Sequence, residues 1–123
     1  MGARALTAHA RSVLAQNRQV ILAWKHRLFI VMGTEGDTLD YAWQFYEELQ
    51  SLGANVVMPQ PSVCRLSERG VLIGVKHPEQ PSREAKQWEA TLLEAGVRPV
   101  FTRWHMPDFP DELDFNLFIC PAN

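Results

Sequence analysis

The 123-residue sequence predicts an α/β domain: an N-terminal amphipathic helix, then a duplicated strand-helix-strand unit and a last strand, assembled as a ferredoxin-like sandwich. An open flavodoxin-like parallel sheet is the alternative. Three observations carry this. The first is an internal repeat at an offset of 43 residues, in which Ile30, Ala42, Gln44, Leu49, Gly53 and Val57 are matched by Ile73, Ala85, Gln87, Leu92, Gly96 and Val100. A repeated unit of this size cannot bury its apolar face alone and is completed by its twin. The second is composition: 46% apolar and 21% charged residues suit one real core and exclude a disordered tail. No run approaches the roughly 18 apolar residues of a membrane span. The third is a change near residue 27 from helical apolar spacing to short continuous runs, which divides the chain into a helix at 1–26 and an α/β domain at 27–123.

The first element is expected to be one helix of about six turns over 3–24. Arg4, Arg11, Arg18 and Lys25 recur every seven residues, and Leu6, Ala10, Val13, Asn17, Val20 and Trp24 alternate four and three on another face. Charge is divided along the chain: the first 34 residues carry +5 with no acid, and the remainder carries −7. Three roles fit such a helix. It packs on the domain, it dimerises with Asn17 as a polar register position, or it offers a basic surface to anionic lipid, nucleic acid or the chain's own acidic half. An acid-free, Arg-rich start also has the composition of an organellar transit peptide. Leu6 stands where a myristoylation pattern needs Ser or Thr. Asn17, Arg18 and Gln19 interrupt what would be the apolar region of a secretory signal.

Leu28 to Met32 reads as a buried strand, and Gly33 to Asp37 as a turn in which Asp37 caps a helix and Asp40 complements its dipole. That helix runs to Leu52, with Leu39, Ala42, Trp43, Tyr46 and Leu49 as the inward stripe and Gly53 as a left-handed stop. Ala54 to Met58 is a second strand, ended by Pro59 and Pro61. The plan recurs with Val71 to Val75 as strand, His77 to Gln80 as turn and Pro81 at the first helical position. Ala85, Trp88, Leu92 and Ala95 face inward before Gly96, and Val97 to Arg103 and Phe115 to Cys120 close as strands. The dozen residues from Pro59 to Gly70 are too few for a crossover helix, so an antiparallel step is favoured between the units. Continuous apolar runs imply that both faces of the sheet are covered. In a ferredoxin-like sandwich that requires the N-terminal helix or a second subunit, hence an expected homo-oligomer.

The chemistry is sparse. Gly33-Thr34-Glu35-Gly36-Asp37 lacks the Lys-Ser/Thr of a P-loop and the three-glycine spacing of a dinucleotide site, and its two carboxylates oppose an anion. The second turn is the better ligand candidate, because Lys76, His77 and Arg83 converge on a helix N-terminus. His9, His26, His77 and His105 show no metal spacing. Cys64 and Cys120 have no CxxC or metal spacing and are expected to be reduced and buried, in a cytoplasmic protein. Trp104-His105-Met106-Pro107 reads as a hydrophobic edge closing the core. An RNP1-type run is missing and the body is acidic, which disfavours nucleic acid. No cofactor, metal or catalytic residue is assigned.

The order of an acidic turn, YAWQFYEELQSLGANV, GVLIGVKHPEQP, a helix ending EAGV and a closing NLFICP resembles a soluble domain found at the C-terminal end of many uncharacterised bacterial proteins, often behind predicted membrane helices. The resemblance covers residues 27 to 122 and implies no activity. Here a basic amphipathic helix stands where membrane helices often do, so contact with a membrane surface through residues 1–25 is one expectation. RLFIVMG with its polar turn is also similar to the first strand and loop of TIR-like nucleotide-handling domains, whereas the second half departs from them. The expected function is non-enzymatic: self-association, or recognition of a partner protein or a small anionic ligand. The rival is a small hydrolase or nucleotide-processing enzyme with Asp37, His77 and His105 around one pocket at the strand ends.

Overall fold

Thr7 sets where the first helix begins. In the computed structural model, which describes residues 4–23, 28–103 and 115–122, the Thr7 hydroxyl accepts the Ala10 amide at 2.9 Å and caps α1 (Ala8–Gln16). Asn17 then interrupts: its side-chain amide donates to the Val13 carbonyl at 2.8 Å, and its backbone sits at φ −101, ψ 22 before α2 (Arg18–Ala23). The single helix expected over 3–24 is therefore two helices preceded by non-helical residues, and Asn17 is the break between them. Leu6, Ala10, Val13, Leu14 and Ile21 are buried in the main core.

The remaining elements are β1 (Ile30–Met32), α3 (Thr38–Ser51), β2 (Gln60–Pro61), β3 (Val71–Val75), α4 (Arg83–Glu94), β4 (Val100–Arg103) and β5 (Phe115–Ile119). They form a five-stranded mixed sheet in the order β2-β1-β5-β3-β4. β1 runs parallel to β2 and to β5, β3 runs parallel to β4, and β3 meets β5 antiparallel with Leu72 opposite Phe118. This α/β sheet is neither of the two arrangements expected. A ferredoxin-like sandwich separates the two strands of each strand-helix-strand unit, whereas here β1 lies directly against β2 and β3 against β4. A flavodoxin-like sheet is parallel throughout, which the β3–β5 pairing breaks. The antiparallel step expected between the units does hold. The residues after β2 cross the sheet end and enter β3 in the opposite direction.

One unit is turned end over end relative to the other. A half-turn about an axis normal to the sheet keeps both the hand of a crossover and the face its helix occupies, so α3 and α4 lie on one side. Ile30, Met32, Ile73, Val75, Leu117 and Ile119 point to that side and join Ala42, Phe45, Leu49, Ala85, Trp88 and Leu92 in one core. α1 and α2 pack on α4 over the same face. Some of the residues matched in sequence are placed alike. Ala42 and Ala85 are fully buried where helix meets sheet, and Gly53 and Gly96 stop their helices at φ 93 and 84. Two boundaries differ from expectation. Arg83, not Pro81, is the first helical residue of α4, and Ser82 caps it, its hydroxyl accepting the Ala85 amide at 3.1 Å. Residues 54–58 supply only an isolated bridge, Val56 with Leu28, before β2.

The opposite face carries Val31, Leu72, Phe118 and Cys120, all buried, with Cys64 packed against them. Cys64 and Cys120 are joined in a disulfide, which corrects the expectation of a reduced pair. Their separation of 56 residues concealed the pairing in sequence. The segment leaving β2 passes over the end of β5, and that brings the two together. Val31, Leu72 and Phe118 are thus buried on this face within the single chain.

Candidate functional site

The topology sends the C-terminal ends of β1, β2 and β5 and the N-terminal ends of β3 and β4 to one edge of the sheet. Two cavities open there, on either side of the Pro121-Ala122 tail of β5. Gly70 and β5 bind each other at this point, the Gly70 amide to the Pro121 carbonyl and the Cys120 amide to the Gly70 carbonyl, each at 2.8 Å.

The first cavity, about 230 Å³, lies beside the disulfide. Gly33 and Cys64 form one wall, and a Cβ added at Gly33 would stand 2.9 Å from the Cys64 Sγ, so this turn admits the bridge only with glycine. Glu35 and Arg69 bring opposite charges to its lining. Arg69 Nη1 already donates to the Arg65 and Glu68 carbonyls at 3.3 and 2.9 Å.

The second cavity, about 270 Å³, is built on Arg4. The Arg4 guanidinium grips Asp37 through Nε at 3.1 Å and Nη2 at 2.9 Å, while Nη2 also reaches the Thr38 hydroxyl at 3.3 Å. Asp37 occupies the N-cap position of α3 as expected, but makes no side-chain cap bond, because Arg4 takes both its oxygens. The hydrogen bonds and charge of Arg4 hold the Asp37 carboxyl below its ordinary value of 3.8. The same guanidinium lies 4.7 Å from the centre of the Tyr41 ring. Its third nitrogen, Nη1, is buried and has no hydrogen-bond partner among the described residues.

Tyr41 lines this cavity although it is only 7% exposed. Burial raises its pKa above 10.0, the Arg4 charge opposes that, and the Asp37 charge adds to it, with no hydrogen bond to the phenol contributing. Arg98 completes the lining; it is exposed and forms no ion pair among the described residues. Val71, Val97 and Ala122 supply apolar wall. Among the described residues the lining contains no carboxylate. Three side-chain donors around a space without an acidic side chain are suited to a ligand that brings acceptors and negative charge.

Lys76, His77 and Arg83 lie at the other edge. β3 runs opposite to β1, so the turn after β3 and the start of α4 stand at the far end of the sheet from Asp37. There His77 Nδ1 is 3.6 Å from Glu79 Oε1, with both side chains well exposed, and the Ser82 hydroxyl occupies the Ala85 amide at the helix start. Neither of the two cavities is lined by these three residues. Asp37 and His77, grouped by sequence for an enzyme, are thus at opposite ends of the sheet, and His105 lies outside the described residues together with Trp104, Met106 and Pro107. Tyr41 and Arg98 were not singled out in the sequence. Tyr41 falls off the expected stripe of its helix, and Arg98 is one exposed cation in a loop.

Among the described residues no three His, Cys, Asp or Glu side chains gather as metal ligands, and no helix is long and apolar enough to cross a membrane. No family model, curated protein or solved structure matches the chain.

Proposed function

We propose that the chain is a non-enzymatic binding domain whose ligand is a small anion, held at the sheet end by Arg4, Tyr41 and Arg98. One observation carries the reading: Arg4, Tyr41 and Arg98 line one cavity, and no described carboxylate lines that cavity to balance them. The disulfide supports an oxidising compartment over the reducing cytoplasm. The matched burial of Ile30 with Ile73 and Leu49 with Leu92 supports descent of the two units from one duplicated element.

Asp37 and His77, which the enzyme alternative groups with His105 around one pocket, stand at opposite ends of the sheet, which supports the binding reading over it. The test is a thermal-shift screen at constant ionic strength, comparing small anions with neutral isosteres. A ligand that binds the folded form alone raises the midpoint with concentration, by RT ln(1 + [L]/Kd) in free energy. Concentration-dependent stabilisation by anions, lost in Arg98→Gln, is expected. Stabilisation equal for anions and neutral isosteres, or retained in full by Arg98→Gln, would exclude this site as the ligand's.

A further inference from the structure

Resting on the proposed anion site, we infer that its ligand is a monocarboxylate on a short apolar stem. Charge comes first. Arg4 is already paired with Asp37 at 2.9 Å, so the two together are close to neutral and Arg98 supplies the one uncompensated positive charge of the described lining. A single negative charge balances that, whereas a dianion leaves one negative charge in excess. The backbone argues the same way. Phosphate sites commonly present free amides at a helix N-terminus or a nest. Here three amides on the rim are engaged: Gly70 with the Pro121 carbonyl at 2.8 Å, Gly96 with Leu93 at 3.0 Å and Val97 with Leu92 at 2.9 Å. Gly96 to Arg98 also follow the C-terminus of α4, where the helix dipole is negative and opposes accumulation of charge.

Shape and wall chemistry define the rest. The Tyr41 phenol and the Arg98 guanidinium provide donors for the two oxygens of one carboxylate, beside Arg4. Val71, Val97, Ala122 and the Tyr41 ring offer apolar surface to a stem, and about 270 Å³ is at the small end of ligand cavities. Two sources share this chemistry, a free short-chain acid and the terminal carboxylate of a peptide.

The experiment is a titration of the full oxidised chain followed by two-dimensional NMR, suited to the weak affinity of ligands with so few atoms. Butyrate represents the free acid, N-acetylalanine the peptide terminus, butyramide the uncharged isostere and inorganic phosphate the multiply charged anion. Butyrate or N-acetylalanine should shift the backbone signals of Tyr41, Val97 and Arg98, and the tighter of the two identifies the source. Butyramide should leave those signals unmoved, and phosphate should bind at least tenfold more weakly. Tyr41→Phe should weaken carboxylate binding about threefold or more and Arg98→Gln about tenfold or more, both with the thermal midpoint of the free protein essentially retained. Phosphate binding as tightly as the carboxylates would overturn the monocarboxylate assignment and leave the anion site standing. Absence of any anion-induced shift at these residues would overturn both.

Discussion

Gly33 sits where the backbone must pass a disulfide sulfur, and the missing Cβ is what allows it: an alanine methyl there would stand 2.9 Å from the Cys64 Sγ, against the bridge rather than a flexible side-chain tip. Gly33→Ala should destabilise the oxidised protein by about 1–3 kcal/mol, as overpacking does. Urea unfolding of the same substitution in a Cys64→Ala, Cys120→Ala background should show most of that loss gone, and a penalty unchanged there would assign it to the turn instead. Asp37 gives a pH signature. Its folded-state pKa is depressed, so its contribution to stability is present above the ordinary value of 3.8 and is lost as pH falls through the lower folded value. Asp37→Asn should flatten that acid limb in melts recorded between about pH 5 and pH 2. Sequence showed Asp37 as a helix cap because a local rule assigns it so; its partner, 33 residues earlier, has no local signal.

The N-terminal segment behaves as an organising element of the core. Its basic stripe is answered along the whole of α3: Arg4 at Asp37, Arg11 at Glu48 at 2.6 Å, and Arg18 donating to the Leu52 carbonyl at 2.8 Å where the helix ends. This matches two of the three roles the spacing suggested, packing on the domain and meeting the chain's own acidic half. Partly exposed pairs of this kind contribute modestly at most, so the buried apolar residues beneath them dominate. Leu14→Ala should cost about 2–5 kcal/mol in denaturant unfolding, with a value near zero showing that α1 is dispensable. The inward stripe of α4 was legible as Ala85, Trp88, Leu92 and Ala95, whereas α3 buries Thr38, Tyr41, Ala42, Phe45 and Leu49 and leaves Leu39 exposed. α3 carries aromatics on several faces, so periodicity alone did not fix its rotation. The helix stops were legible because only backbone conformation decides them. No crowding surrounds Gly96 and only ordinary contacts lie near Gly53, so Gly53→Val and Gly96→Val should lose similar amounts, about 1–2 kcal/mol in thermal melts.

At the scale of the molecule, the elements were legible and their assembly was not. Strand and helix order follow from local spacing; the insertion of β5 between β1 and β3, and with it the position of every site residue, follows from pairings of residues far apart in the chain, such as Ile30 with Leu117 and Val71 with Ile119. That inversion explains why two turns at matching positions of the repeat face opposite ends of the sheet. The disulfide spans 56 residues of chain, and closing a loop of that length in the unfolded state corresponds to about 4 kcal/mol in the chain-entropy account. Reduction should lower the unfolding free energy by roughly that amount in urea titrations with and without a dithiol, and curves that superimpose would show that the bridge leaves the unfolded ensemble unconstrained.

Of the five described strands, the one at the centre of the sheet comes last in chain order. While a nascent chain emerges, β1 with β2 and β3 with β4 have each other, but no strand pairing joins one pair to the other until residues 115–119 have left the ribosome. Until then both pairs hold an open inner edge, and the apolar sides of Ile30 and Ile73 wait for Leu117. Translation pauses placed before residue 115 should therefore accumulate a protease-sensitive chain, and the transition to resistance should come in a single step as β5 arrives.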